Sequence, residues 1–448
     1  MHTFKIVTQP LPDHEFPDPF HVRMPKHHYN QLRMHSDSFT LTCGSHRVPI
    51  TIEAGSDGFE ISHTLTETLF LPLAPLPLHI KTNVKSKILS LGPVFAVLTH
   101  TADRSEAPFG SLTPFYEELA RFCAQKHVLV YFFSLKKTSE QTIVGYRLNH
   151  EQWHKQRFPY PDVIYNRLSS RKRESQATAQ QFFKRCKTLR IPYFNERFLN
   201  KWEVHEALFK LPEFKPYLPE TVLYRHTSDL DAMLQKHDHL FLKPIHGSLG
   251  RKIIRIKHNS HIYSIGYTGF STNESEQIDS LLALLKTVIP KMRKQTYIIQ
   301  QGIDIVTCQG RPLDFRILCN KNRNGIWKVT TTVARVSAER QFVSNLARGA
   351  TIFQLEEALS EAFTPQEIRN LKKLLIELAL NCAEALDRET EGIYGELGID
   401  LAVDGDGKPW LLEINTKPSK ADTVDFTKRT IRPSAKAITN FAAFLSRF

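Results

Sequence analysis

Gly395-Glu396-Leu397-Gly398-Ile399-Asp400-Leu401-Ala402-Val403, then Asp404-Gly405-Asp406-Gly407-Lys408, then Pro409-Trp410-Leu411-Leu412-Glu413-Ile414-Asn415, is the stretch on which the reading of this chain turns. It reads as a strand, a polar Gly-rich hairpin turn and a return strand. Side chains alternate faces along a strand, so Glu413 and Asn415 share a face. A paired strand can set Asp400 beside them. Two carboxylates and one amide oxygen on one face make a hard-oxygen site suited to Mg²⁺, which also takes waters and phosphate oxygens. The plainer alternative is a solvated hairpin with exposed acids. Against it, Glu413 sits between Leu412 and Ile414, and a charge flanked that way needs a partner.

Three further segments lie upstream. Phe241-Leu242-Lys243-Pro244-Ile245-His246-Gly247-Ser248-Leu249-Gly250-Arg251 places a lysine at a strand end before a Gly-Ser loop. Backbone N–H groups freed by glycine can cradle phosphate oxygens, and the lysine adds a point charge. The spacing is not Walker A. Gly310-Arg311-Pro312-Leu313-Asp314-Phe315-Arg316-Ile317-Leu318 puts Asp314 and Arg316 on one strand face. Arg335 and Ser344-Asn345-Leu346-Ala347-Arg348-Gly349 follow. Planar guanidiniums suit an acyl-phosphate or a substrate carboxylate. Taken singly, the Asp314–Arg316, Arg335 and Ser344–Gly349 pieces also fit a surface ion-pair ladder, and the Gly-Ser loop alone is a weak signal.

Residues 1–90 read as a small β-rich module, with runs such as Phe39–Thr42 and Val48–Ile52 broken by glycines and prolines. Leu71–Leu78 is proline-punctuated and reads as a linker or edge strand. Residues 91–195 read as a compact α/β unit. Strand Val94–Leu98, helix Leu112–Lys126 and strand Val128–Phe133 imply parallel pairing, followed by strand Asp162–Tyr165 and helix Thr178–Leu189. Beyond residue 196 the pattern is mixed. Helices are expected at Asp229–Lys236 and Glu276–Val288. Strands are expected at Leu240–Lys243, Ile253–Ile256, Tyr297–Gln300, Phe315–Cys319 and Lys328–Val336. Thr364-Pro365-Gln366-Glu367 is a capping box opening a long helix, whose stripe Ile368, Leu371, Leu375, Leu378, Cys382 and Leu386 is core.

The 448 residues carry 59 Lys+Arg against 46 Asp+Glu, a net charge of +13 that favours acidic partners. The densest basic stretch, Arg167–Arg190, has no interleaved aromatics, so nucleic acid is not an expected partner. No run reaches the roughly 18–20 apolar residues of a membrane helix. Met1-His2-Thr3-Phe4-Lys5 has no apolar signal region, so the chain is expected inside the producing cell. The six cysteines form no CxxC pair and are expected to be reduced, mostly buried and not zinc-binding.

In order, Lys201, Lys243 with its GS-x-G loop, the D-x-R strand, the S-N-L-x-R-G segment and D…E-x-N resemble the signature of the ATP-grasp superfamily. Asp314–Arg316 and Ser344–Gly349 look like the branch holding the ribosomal-protein glutamate ligases and, more distantly, the tubulin tyrosine ligases. Tyr165-Asn166-Arg167, Phe198-Leu199-Asn200-Lys201-Trp202-Glu203, Asp314-Phe315-Arg316-Ile317 and Glu413-Ile414-Asn415-Thr416-Lys417-Pro418-Ser419 are similar to the YheC/YheD family of endospore-coat-associated ATP-grasp proteins.

This resemblance implies an α/β and α+β chain: the β module at 1–90, a parallel α/β pre-ATP-grasp domain at 91–195 and an ATP-grasp domain at 196–448. It implies ATP and Mg²⁺ as cofactors. Lys201 and Lys243 would face the phosphates, with Ser248 in the loop between glycines. Gln301 and Gly302 would form the adenine hinge, Asp314 and Asn345 would contact the nucleotide, and Asp400, Glu413 and Asn415 would bind Mg²⁺. Arg316 and Arg348 would be catalytic, near the transferred phosphate and the acceptor. The implied activity is carboxylate–amine ligation through an acyl-phosphate, with an acidic peptide or spore-coat protein as acceptor. The alternative is a non-catalytic ATP-binding component of the coat. The implied location is the cytoplasm of the producing cell, with deposition on the endospore coat. Two positions depart from the family pattern: Lys252 stands where another glycine is usual, and Ala350 replaces the second glycine of a Gly-Gly pair. Both stiffen loops that must close over ATP.

Overall fold

The computed structural model describes residues 2–31, 38–55, 58–102, 107–247, 250–259, 262–268, 276–339, 341–342, 349–420 and 431–448. Among them, seven strands from His2–Leu11 to Ile88–Gly92 close into a barrel. In the strand Leu76–Asn83, Leu76, Leu78, Ile80 and Thr82 are buried and alternate with more exposed residues, the pattern of a closed sheet filled by side chains. That strand pairs with His2–Leu11 on one side and Ile88–Gly92 on the other. The end of the Leu71–Leu78 segment is therefore an interior barrel strand, not a linker or an edge. The apolar alternation outweighs the prolines.

A second sheet has the order Gln152–Pro159, Thr142–Asn149, Leu129–Thr138, Val94–Leu98, Val163–Asn166, Tyr193–Phe194. Val94–Leu98 pairs in parallel with both of its neighbours, as the strand–helix–strand pattern implies. The hairpin of Thr142–Asn149 and Gln152–Pro159 had no clear sequence signal, because Gln152-Trp153-His154-Lys155-Gln156-Arg157 is largely exposed. Val94, Ala96 and Leu98 pack into a core shared with the barrel. Phe95 and Val97 pack on the other face, beneath helices Thr113–Gln125 and Pro433–Ser446.

The remaining chain forms two more sheets. One runs Thr221–Leu223, Tyr297–Gln301, His239–Pro244, Ile253–Asn259, Ile262–Thr268, Glu276–Ile278. Helices Thr227–Lys236 and Leu281–Met292 cover it with a common core. The helix expected from Glu276 thus begins only at Leu281, after the N-cap Ser280, whose hydroxyl accepts from the Ala283 N–H. The polar residues before it pair as an edge strand with Ile262–Thr268.

The last sheet runs Thr351–Phe353, Trp327–Val336, Arg311–Lys321, Glu396–Val403, Pro409–Asn415. Helix Pro365–Glu389 packs on it, and the expected capping box is present: Glu367 N–H donates to Thr364 Oγ1, and Thr364 N–H donates to the Glu367 carboxylate. Leu397, Ile399, Leu401 and Val403 point into that core. Glu396, Gly398 and Asp400 fall on the opposite face. The six cysteines are buried and form no disulfides. Among the described residues, no helix is long and apolar enough to cross a membrane.

Glu396 anchors this face to the second sheet. It is fully buried, accepts from Tyr165 Oη at 2.6 Å, and pairs with Lys420 and Arg167. Burial alone would raise its pKa, but the Lys420 and Arg167 charges outweigh it and hold the carboxyl below the usual range. The segment after Asn415 is fastened residue by residue. Thr416 Oγ1 donates to Arg197 O at 2.9 Å, Lys417 pairs with Glu174, and Arg167 Nη1 donates to Pro418 O at 3.1 Å. The Tyr165-Asn166-Arg167 motif is thus the clamp on this segment. Replacing Glu396 by alanine strands Lys420 and Arg167 without their buried counter-charge. The expected loss is about 3–5 kcal/mol, read as a lowered urea midpoint.

Candidate nucleotide and metal site

A cleft of about 360 Å³ separates the sheet containing Lys243 from the sheet containing Asp400. The period of two along His239–Pro244 turns His239, Phe241 and Lys243 to the cleft and Leu240 and Leu242 to the core. Lys243 Nζ donates to Gln300 Oε1 at 2.5 Å. Burial, then the nearby Lys201 charge, pull its pKa down to about 8. Lys201 opens helix Lys201–Phe209, whose N-cap Asn200 forms a capping box with Glu203. This cap aims Lys201 into the cleft, where Nζ lies 3.0 Å from Glu413 Oε1 and donates to Gly247 O at 3.2 Å.

The facing wall is a ladder of carboxylates and guanidiniums. Asp400 and Glu413 are directly opposite across the hairpin, and Asn415 is opposite Gly398. Arg335 grips Asp314 through Nε–Oδ1 at 2.6 Å and Nη2–Oδ2 at 2.8 Å, and its Nη2 also lies 3.2 Å from Asp400 Oδ2. Arg316 holds both Asp400 oxygens, with Nη2–Oδ2 at 2.8 Å. Asn415 Nδ2 donates to Asp400 Oδ2 at 3.4 Å. The two aspartates are driven apart electrostatically. Burial and the Asp400 charge raise the Asp314 carboxyl despite Arg335. At Asp400 burial also raises, but Arg316 and Arg335 outweigh it and the net shift is downward. Gly398 leaves room for this arrangement: a Cβ there would lie 2.8 Å from Pro418 Cβ and 3.4 Å from Arg316 Cδ.

Lys201, Lys243, Gln301, Asp314, Asp400 and Glu413 therefore line one cleft, although they come from six separate elements. Arg316 is buried against Asp400 and is not on the cleft wall, and Asn415 is tethered to the same carboxylate. Gly302 lies behind His239. Its N–H donates to His239 O at 2.7 Å and that of Gln301 to Glu220 O at 2.8 Å. Ser248, Asn345 and Arg348 lie outside the described residues. Lys252 adopts φ +58°, with its N–H on Thr268 O at 2.6 Å.

Sequence reading missed His239. Both its ring nitrogens are buried with no hydrogen-bond partner among the described residues; Asp304 stands 3.8 Å off, beyond hydrogen-bond reach. Burial lowers its pKa to about 4, so it is neutral at pH 7 and ready to donate or accept. Phe241 and the Arg255–Phe342 stack, 4.6 Å from guanidinium to ring centroid, complete that end. The available sequence signal was that His239, Phe241 and Lys243 alternate on one strand.

These walls fit a nucleotide with a divalent cation: lysines for phosphates, aromatic and unmatched polar groups for a base, oxygens for a metal. Among the described residues, no three His, Cys, Asp or Glu side chains converge as a metal cage. Two carboxylates and an amide suit an ion that completes its shell with phosphate and water.

The model of the YheC/D like ATP-grasp family matches residues 190–445. The chain belongs to that family. Over 368 residues it is 30% identical to the endospore coat-associated protein YheD of Bacillus subtilis (strain 168), covering 80% of each chain. It is 25% identical to YheC of the same organism over 276 residues, 60% of this chain and 73% of YheC. Among solved structures, D-alanine–D-alanine ligase from Bacillus anthracis aligns at 12% identity, over 80% of this chain and 94% of the ligase, with a TM-score of 0.43. The mixed α/β architecture is the ATP-grasp fold, as the ordered motifs imply.

In this ATP-grasp chain Gly302 is packed too closely for any side chain, since a Cβ would lie 2.2 Å from the His239 ring. Gly302→Ala is expected to destabilise the protein by about 1–3 kcal/mol through overpacking. Adding His239→Ala should restore much of that loss in thermal unfolding, because the obstructing ring is gone.

Proposed function

We propose that the chain binds ATP and Mg²⁺ in this cleft and is an ATP-dependent carboxylate–amine ligase. What supports the reading is the convergence of Lys201 and Lys243 with Asp400 and Glu413 on one cleft, with Asn415 bonded to Asp400. Lys201, Lys243 and Ser248 would meet the phosphates. Gln301 and Gly302 would form the adenine hinge beside His239 and Phe241, and Asp314 and Asn345 would contact the nucleotide. Asp400, Glu413 and Asn415 would hold Mg²⁺, which when bound supplies charge neutralisation at the phosphates.

A substrate carboxylate oxygen attacks the γ-phosphorus, the bond to the β-phosphate oxygen breaks, and ADP leaves. An amine then attacks the acyl carbon and phosphate departs with the bonding pair. The amine proton passes to water or to that phosphate. Arg316, through Asp400, and Arg348 would act near the transferred phosphate and the acceptor. Catalysis of this kind is positioning and electrostatics. The charge of +13 suits an acidic peptide or a spore-coat protein as acceptor. The coat-associated relatives support a place in the cytoplasm of a spore-forming cell and on its endospore coat.

Lys252 favours a second reading, a non-catalytic ATP-binding coat component. Its left-handed backbone in the phosphate loop costs about 1–2 kcal/mol on a non-glycine residue and restricts closure. Phosphate release assayed across carboxylate–amine pairs separates the two readings. ATP binding with no turnover on any pair would leave only the structural one.

Two outcomes test the site itself. Glu413→Ala should weaken Mg²⁺-dependent ATP binding by about tenfold or more in calorimetry. Lys243 binds phosphate only as the ammonium, so affinity should hold below pH 8 and fall as pH rises past about 8. Because bound phosphate raises that pKa, binding between pH 8 and 9 should take up protons, seen as a buffer-dependent heat.

A further inference from the structure

Three N–H donors stand on the two carboxylates that would hold a metal. Lys201 Nζ is 3.0 Å from Glu413 Oε1. Arg335 Nη2 is 3.2 Å from Asp400 Oδ2, and Asn415 Nδ2 donates to the same oxygen at 3.4 Å. Arg316 Nη2 already donates there at 2.8 Å. A carboxylate oxygen has two lone pairs, so three donors leave none for a cation on Asp400 Oδ2. Asn415 also presents its NH₂ where a metal needs its carbonyl oxygen, so the amide must turn over. Arg335 can release Asp400 and stay anchored, because two bonds tie it to Asp314.

We propose that Lys201, Arg335 and the Asn415 amide occupy the metal site as stand-ins for the cation in the ligand-free protein. They exchange partners when nucleotide and metal enter together, and Lys201 passes from Glu413 to a phosphate. The inference rests on the assignment of Asp400, Glu413 and Asn415 as metal ligands. It makes Arg335, which by sequence is only a guanidinium suited to an acyl-phosphate or a substrate carboxylate, a positioning residue that keeps Asp400 aligned until the metal arrives. A metal ion alone must displace an ammonium and a guanidinium from their counter-charges. A nucleotide offers Lys201 a new anion, so each ligand helps the other, and the coupling is reciprocal.

The test titrates Mn²⁺, followed by the loss of its free electron-paramagnetic signal, into the full chain with and without AMP-PNP. Wild type should bind Mn²⁺ weakly alone and about tenfold or more tightly with the nucleotide analogue. Lys201→Met should bind Mn²⁺ alone about fivefold or more tightly than wild type, with the coupling reduced to match. Arg335→Met should shift the same way by less. Lys243→Met removes a charge from the same cleft, but that ammonium bonds Gln300 and not a carboxylate, so its effect should be clearly smaller. The proposal is overturned if Lys201→Met binds Mn²⁺ no more tightly than wild type, or if Lys243→Met tightens it equally. Should Arg335→Met not fold, Lys201→Met decides alone. Glu413→Gln identifies the level of failure: unchanged Mn²⁺ binding in that variant places the metal elsewhere and sinks the ligand assignment itself.

Discussion

A carboxylate buried in the middle of a sheet must be paired, and the pairing of Asp400 organises everything around it. Arg316 reaches it from the neighbouring strand across Gly398, and Arg335 reaches it from one strand further while holding Asp314. Removing one member of such a set leaves an uncompensated buried charge, which is costlier than the pair is stabilising. The strands Trp327–Val336, Arg311–Lys321, Glu396–Val403 and Pro409–Asn415 are therefore held in the register that brings these side chains together.

The same strand carries a second buried anion. Glu396 and Asp400 share a face, separated by Gly398. Glu396 takes its counter-charges from Lys420 and Arg167 and so fastens this sheet to the strand Val163–Asn166. Asp400 takes its own from within the sheet and faces the cleft. One anion ties the halves of the molecule together and the other serves the site. The clamp on Thr416–Pro418 lies directly beyond Asn415, so the docking of the α/β sheet and the shape of the oxygen site are mechanically linked.

What could be read beforehand was local. Glu413 and Asn415 on one face follow from the period of two, and the Pro365–Glu389 helix follows from its capping box and stripe. Elements without a local signature are misread or not legible at all. Glu276–Ile278 is polar and short, and only pairing with Ile262–Thr268 makes it a strand. The Thr142–Pro159 hairpin is exposed along much of its second strand. The proline-punctuated segment Leu71–Leu78 reads as a linker or an edge strand, but barrel closure gives the strand Leu76–Asn83 neighbours on both sides. His239 could have been noticed from its spacing to Lys243, yet the burial of its imidazole is a property of its surroundings.

By itself the sequence determined the family, the order of the motifs and the chemistry each could supply, because strand alternation, capping and glycine placement act over a few residues. Tertiary structure alone decided that Asp400 pairs with Arg316 and Arg335, that Lys201 rests on Glu413, and that Arg167 works at Glu396. These partners lie tens to hundreds of residues apart in the chain. Which cation reaches which carboxylate depends on strand order, register and burial, and none of those is set by neighbours in sequence.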